Sequence, residues 1–213
     1  MTDRPVALLG DGLPVPRADG TDVPYLSLDS AASTGALPAV AAAVTEFLPT
    51  YSSVHRGAGW KSQYATGAYE HAREASLAFA GRAPGGDRDD VAVLCRNTTE
   101  ATNIAAHRLG ADLGPGDTIV TTVVEHHANL LPWRLAADAV GASVHHVECG
   151  RDGTFAPADL AAAIDAERAA GHTVRLVAVT GAANVTGWMP DLRTIIDDAH
   201  DRGVRVLVDA AQL

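Results

Sequence analysis

Beyond residue 90 the chain alternates two kinds of hydrophobic pattern. Short aliphatic runs of five to seven residues are separated by longer segments in which apolar positions recur every three or four residues. The short runs are the pattern of buried strands, and the longer segments that of helices burying one side. The predicted strands are VAVLC (91–95), TIVTTVV (118–124), SVHHVEC (143–149), VRLVAVT (174–180) and VRVLV (204–208). NTTEATNIAAHRL (97–109) predicts a helix with Asn97 as N-cap and Glu100 in the capping-box position. NLLPWRLAADAVG (129–141) predicts one closing on Gly141, and PADLAAAIDAERAAG (157–171) one with proline in its first turn. PDLRTIIDDAHDRG (190–203) supplies the last helix. This alternation predicts an α/β fold, a mostly parallel sheet with crossover helices. Before residue 90, two helices near 36–48 and 62–80 flank the loop YSSVHRGAGWKSQ, and residues 1–24 read as a loosely packed arm.

Parallel sheets bind ligands beyond the carboxyl ends of their strands. The polar residues falling there are Thr98, Thr99 and Glu100, then Glu125, His126, His127 and Asn129, then Asn184, and finally Asp209 and Gln212. Threonines at a helix start can cradle an anion with hydroxyls and backbone N–H groups, or simply cap the helix. His126 can lie flat on an aromatic ring or exchange protons near neutral pH. With His127 it can also be a surface residue or a metal pair. Metal is the weaker reading, because adjacent residues of an extended segment point to opposite faces and no third ligand has matching spacing. His145 and His146 are strand residues, one facing in and one out. Asp209 follows a nearly continuous apolar run, and burying it costs several kcal/mol unless a cation or hydrogen-bond donor meets it. A protonated pyridine nitrogen is one such partner, and capping the next helix is the plainer use.

Composition narrows the partners. A chain of 213 residues, 47% hydrophobic, is one large domain or part of a bigger one. A formal net charge of -10 without a basic run argues against nucleic acid and anionic membrane as partners. No apolar run is long enough to span a bilayer and the N-terminus has no signal-peptide pattern, so the cytoplasm is expected. Cys95 and Cys149 form no disulfide or metal framework and are expected to be small buried hydrophobes. Fifteen of the 16 basic residues are arginine, and Lys61 is the one lysine. GAGWKS (57–62) mimics the start of a glycine-rich nucleotide fingerprint but follows no strand.

Six segments occur in a telling order: LDSAAST (28–34), SSVHRGAG (52–59), NTTEATN (97–103), EHHANLLPW (125–133), ANVTGWMPDL (183–192) and VDAAQ (208–212). Together they closely resemble the class V aminotransferase family of pyridoxal-phosphate enzymes, in particular its cysteine desulfurase and selenocysteine lyase branch, over roughly residues 24–213. Ser30 and Ala210 depart from it, standing where the family usually has asparagine and glycine. The resemblance implies the large domain of a fold-type I pyridoxal-phosphate enzyme, incomplete at its C-terminus, over residues 25–213 behind an arm of 1–24. It implies that Thr98 and Thr99 hold the phosphate of pyridoxal 5'-phosphate, that His126 stacks on its ring, and that Asp209 pairs with the ring nitrogen. Asn184 and Gln212 would bond the substrate side and the ring hydroxyl. His55 and Arg56 would line the substrate entrance near the partner subunit of a homodimer.

In the family the lysine that bonds the cofactor follows the segment matching VDAAQ. That lysine, the desulfurase cysteine, the carboxylate-gripping arginine and the small domain are expected after Leu213. The chain is thus expected to be an N-terminal portion that is inactive alone. The implied activity is removal of sulfur from cysteine, giving alanine, with an amino acid as substrate and a sulfur-acceptor protein as a further partner. Another class V aminotransferase, epimerase or lyase, or a non-catalytic homologue, remains open.

Overall fold

A computed structural model describes residues 6–82 and 90–213. It divides into two compact units, 1–94 and 95–213.

In the first unit the described part of the arm forms a hairpin. Strands β1 (Pro14–Pro16) and β2 (Asp22–Pro24) pair antiparallel, with Val15 opposite Val23. Asp19 braces the turn by accepting the Thr21 hydroxyl at 2.6 Å. Helix α1 (Pro38–Phe47) opens with proline at its first position, where the missing N–H costs nothing. Helix α2 (Trp60–Phe79) follows a loop tied to its first turns. The Ser62 hydroxyl donates to the Ser53 carbonyl at 2.8 Å, and the His55 N–H donates to the Thr66 hydroxyl at 3.0 Å.

The second unit is a three-layer α/β/α sandwich. Strands β3 (Asp117–Thr122), β4 (Ser143–Val147), β5 (Thr173–Thr180) and β6 (Arg205–Asp209) form one parallel sheet in the order β4-β3-β5-β6. Helices α3 (Thr98–Gly110) and α4 (Leu131–Val140) cover one face, where Ala106 and Trp133 meet Ile119, Leu176 and Ala178. Helices α5 (Pro157–Ala169) and α6 (Leu192–Asp201) cover the other, where Leu160, Ile164, Ile195 and Ala199 meet Val120, Val174, Val177 and Val179. The β3–β5 register slips at Thr118/Ile119. That irregularity inserts Arg175 and lets Val174 and Val177 share a face despite their odd spacing. Burial of each such aliphatic side chain contributes about 1.5–3 kcal/mol.

Charged pairs gather at the amino end of the sheet. The Arg175 guanidinium donates to Asp117 at 2.7 Å, and Glu167 takes His145 and His172 at 2.6 Å each.

Most predicted elements are present with ends moved by a few residues. Asn97 caps α3 by accepting the Glu100 N–H at 2.9 Å, while the Glu100 carboxylate reaches back to the N–H of Arg96 at 2.8 Å. Gly141 ends α4 in the left-handed region, at φ 74°. The run 91–95 is the exception, because it is not a strand. A strand needs a neighbouring ladder, and among the described residues none pairs with this run; Val91 and Val93 are exposed, and the Ala92 carbonyl accepts from the Arg73 guanidinium at 2.8 Å. Cys95 and Cys149 are half-buried rather than core residues, since Cys95 lies on this irregular stretch and Cys149 beyond the end of β4.

Candidate functional site

The strand order fixes where a crevice opens. After β3 the chain crosses to β4 on one side, and after β5 it crosses to β6 on the other. Connections that diverge in this way leave a gap above the carboxyl ends of β3 and β5, where ligands of such sheets sit. The residues at that edge are therefore the ones to follow.

Beyond β3 the chain enters a short 3-10 turn, His127–Asn129, before α4. Its hub is Glu125, a buried acid with three donors. Oε1 accepts the Thr122 hydroxyl at 2.7 Å and the Thr180 N–H at 3.0 Å, and Oε2 accepts the Asn129 side-chain amide at 2.7 Å. Asn129, itself fully buried, accepts the Trp133 indole N–H at 2.9 Å through its own oxygen. Burial pushes the Glu125 carboxyl above its ordinary value and the nearby Asp209 charge adds to the push, while the three hydrogen bonds oppose it.

His126 follows immediately and is exposed. Its Nδ1 accepts the Ala128 N–H at 3.1 Å, so the ring is oriented and its proton sits on Nε2 when neutral. Asp209 ends β6 and is buried, with 6% of its surface accessible. Its Oδ1 accepts the Ala211 N–H at 3.0 Å, and among the described residues no cation pairs with it. Thr98 and Thr99 are exposed in the first turn of α3, whose leading N–H groups lack helical partners.

These side chains line two hollows. One, of about 360 Å³, has Thr98, Thr102, Val208 and Asp209 among its walls. The other, of about 260 Å³, is walled by Thr99, Asn103, His126 and Leu131 among others. Consecutive threonines at one helix start thus open onto Asp209 on one side and His126 on the other. The set of groups suits pyridoxal phosphate: a helix N-terminus for the phosphate dianion, an oriented imidazole for a ring face, and, for the ring nitrogen, a buried carboxylate that no cation among the described residues meets.

The other sequence candidates are more dispersed. Asn184 is exposed on the turn after β5, and Gln212 is half-buried in the turn after β6. His55 and Arg56 belong to the first unit, where His55 adopts φ 57° and its Nε2 lies 2.9 Å from Glu70. Lys61 donates to the Pro49 carbonyl at 2.8 Å in that same unit. No group of three histidine, cysteine or acidic residues among the described ones is placed to hold a metal. Sequence reasoning counted Glu125 among the edge residues but missed its hub role and the parts of Thr122, Thr180 and Trp133. The four-residue spacing of Glu125, Asn129 and Trp133 was the available clue.

A parallel sheet between two helix layers, with a helix start, an imidazole and a buried acid at its carboxyl edge, defines an α/β fold of the class that binds ligands at that edge. The chain belongs to the aminotransferase class V family, whose model matches residues 26–213, and that family works with pyridoxal phosphate. It is 39% identical over 191 residues to a cysteine desulfurase of Dickeya dadantii, covering 89% of this chain and 44% of that protein. It is 35% identical over 196 residues to a cysteine desulfurase of Haloferax volcanii, covering 91% and 44%. Its fold matches the apo cysteine desulfurase of Thermococcus onnurineus with a TM-score of 0.75 at 32% identity, over 85% of this chain and 43% of that one. The chain spans under half the length of these relatives.

Proposed function

We propose that this chain supplies most of the cofactor pocket of a cysteine desulfurase, an enzyme that removes sulfur from cysteine and leaves alanine. The observation that carries the reading is Asp209, a buried acid to which no described residue brings a cation, at the wall of the hollow that also receives the start of α3. When bound, pyridoxal phosphate supplies an electron sink for the pair left on the substrate's α-carbon. Asp209 keeps the ring nitrogen protonated, so that the sink stays effective. Thr98 and Thr99 bind the phosphate with hydroxyls and first-turn N–H groups, aided by the positive end of the helix dipole. His126, held by Ala128, packs on the ring face and keeps water from it. Asn184 and Gln212 orient the substrate side and the ring hydroxyl.

We further propose a homodimer whose entrance is lined by His55 and Arg56, and a sulfur-acceptor protein as partner. The family match and the desulfurase relatives support this. The decisive experiment incubates the complete gene product with cysteine and an excess of a thiol reductant, which supplies the two electrons that release the removed sulfur as sulfide, and measures sulfide and alanine together. Equal amounts of both are expected. Keto acid from another amino acid, with no sulfide, would assign an aminotransferase instead.

A further inference from the structure

We infer that Glu125 is a positioning residue, whose buried carboxylate clamps the strand end carrying His126 to the strand end facing Asp209 and so sets the spacing of the two groups that flank the cofactor ring. This rests on reading the site as a pyridoxal-phosphate pocket. The geometry is specific. Glu125 lies one residue before His126, and its Oε1 grips the N–H of Thr180, which is the register partner of Asp209 on the neighbouring strand. The Gly181 N–H in turn donates to the Asp209 carbonyl at 2.8 Å. The Glu125–Thr180 bond therefore bridges β3 and β5 beyond their ladder, where their connections diverge. Its other oxygen holds Asn129, whose N–H donates to the His126 carbonyl at 2.8 Å, so the turn bearing the imidazole is fixed at both ends.

The hydrogen-bond directions make the clamp testable. In Glu125→Gln the amide oxygen can keep Thr122 and Thr180, but the new NH2 then faces the Asn129 NH2. Turning Asn129 over only moves the conflict, because its NH2 would then meet the Trp133 N–H. Adding Asn129→Asp cures this, since a carboxylate at 129 accepts from both the new amide at position 125 and the Trp133 indole. Trp133→Phe serves as a control that loosens the same network but leaves the three bonds of Glu125 in place.

The probe is pyridoxamine 5'-phosphate, which binds without forming a bond to a lysine, titrated onto the cofactor-free complete gene product alongside a thermal melt of each variant. Glu125→Gln should weaken binding about tenfold or more at temperatures where it stays folded, the penalty of one frustrated buried pair. The double variant should return to within about threefold of the unaltered chain, and Trp133→Phe should bind within that range although it melts earlier. Equal binding by Glu125→Gln, or a double variant that regains its melting point but not its affinity, would overturn the inference. If Glu125→Gln does not fold, Thr122→Val removes one bond of the clamp; binding weakened about threefold upholds the proposal and unchanged binding overturns it. No binding by the unaltered chain would instead overturn the pocket reading itself.

Discussion

Trp133→Phe measures how much the second unit depends on the polar chain beneath its site. Trp133 is wholly inaccessible, and its indole N–H is given to the oxygen of Asn129, which is also wholly inaccessible. Phenylalanine keeps most of the packing but leaves that oxygen without its donor, a penalty of about 1–3 kcal/mol. The missing part of the indole leaves a void on the order of 40 Å³, which at ~24 cal/mol per Å³ adds about 1 kcal/mol. Together these give about 2–4 kcal/mol, large against the total stability of ~5–15 kcal/mol typical of a domain. Urea unfolding followed by circular dichroism should show the midpoint falling in proportion while the slope stays constant. Each kcal/mol should also lower the melting temperature by about 3–5 °C for a unit of this size. A loss below about 0.5 kcal/mol would refute the reasoning, because a buried carbonyl stripped of its donor without cost would mean that the Asn129–Trp133 bond does not form.

A β-carbon added at Gly110 would lie 2.9 Å from that of Ala136, so Gly110→Ala should cost about 1–3 kcal/mol and adding Ala136→Gly should recover most of it, read as paired melting temperatures. Glu167 is held below its ordinary 4.5, first by the His172 hydrogen bond and then by His145, against the pull of burial. A depressed folded value means stability that is present above pH 4.5 and lost as pH falls through the lower one, so the melting gap between the unaltered chain and Glu167→Gln should shrink below pH 4.5; a gap that widens there would refute the sign. Asp209→Ala in the complete enzyme should cut turnover about 100-fold or more while leaving the melt unchanged or higher, whereas near-normal activity would reduce Asp209 to a cap for Ala211. Replacing Cys95 and Cys149 together by alanine should leave sulfide release unchanged, since neither lines the hollows that hold Asp209 and His126; loss of sulfide with cofactor still bound would assign one of them the sulfur chemistry.

What could be foreseen from sequence depended on how local its cause was. Asn97, Gly141 and Pro157 act within one helical turn, and all three occupy the positions that local chemistry assigns them. The two central strands, β3 and β5, were legible because they are buried on both faces and so carry short β-branched and aliphatic runs, and the edge strands β4 and β6 because each keeps a short run rich in valine between helical segments. The run 91–95 carries the same pattern, but a strand is a property of two segments, and its own residues hold no information about a missing ladder. The hub at Glu125 was hidden for a similar reason: Thr122 and Asn129 are near it in sequence, whereas the Thr180 bond spans 55 positions and exists only once β3 and β5 are side by side. Asp209 stood out because an acid after an aliphatic run is conspicuous whatever surrounds it.

The placement of charge along the strands carries a consequence for how the protein can vary. The Asp117–Arg175 pair and the His145–Glu167–His172 node occupy the amino end of the sheet, and the residues proposed for chemistry occupy the carboxyl end, with a layer of valine, isoleucine and alanine between them. Apolar side chains in that layer relay no proton, and about five residues of strand at ~3.3 Å each separate the two ends, while solvent screens the half-exposed pairs, so drift in the ion pairs alters robustness to heat and acid far more than it reaches the reaction. A lineage moving to a hotter or more saline habitat could therefore rebuild one end of the sheet freely while the other stays under selection for its chemistry.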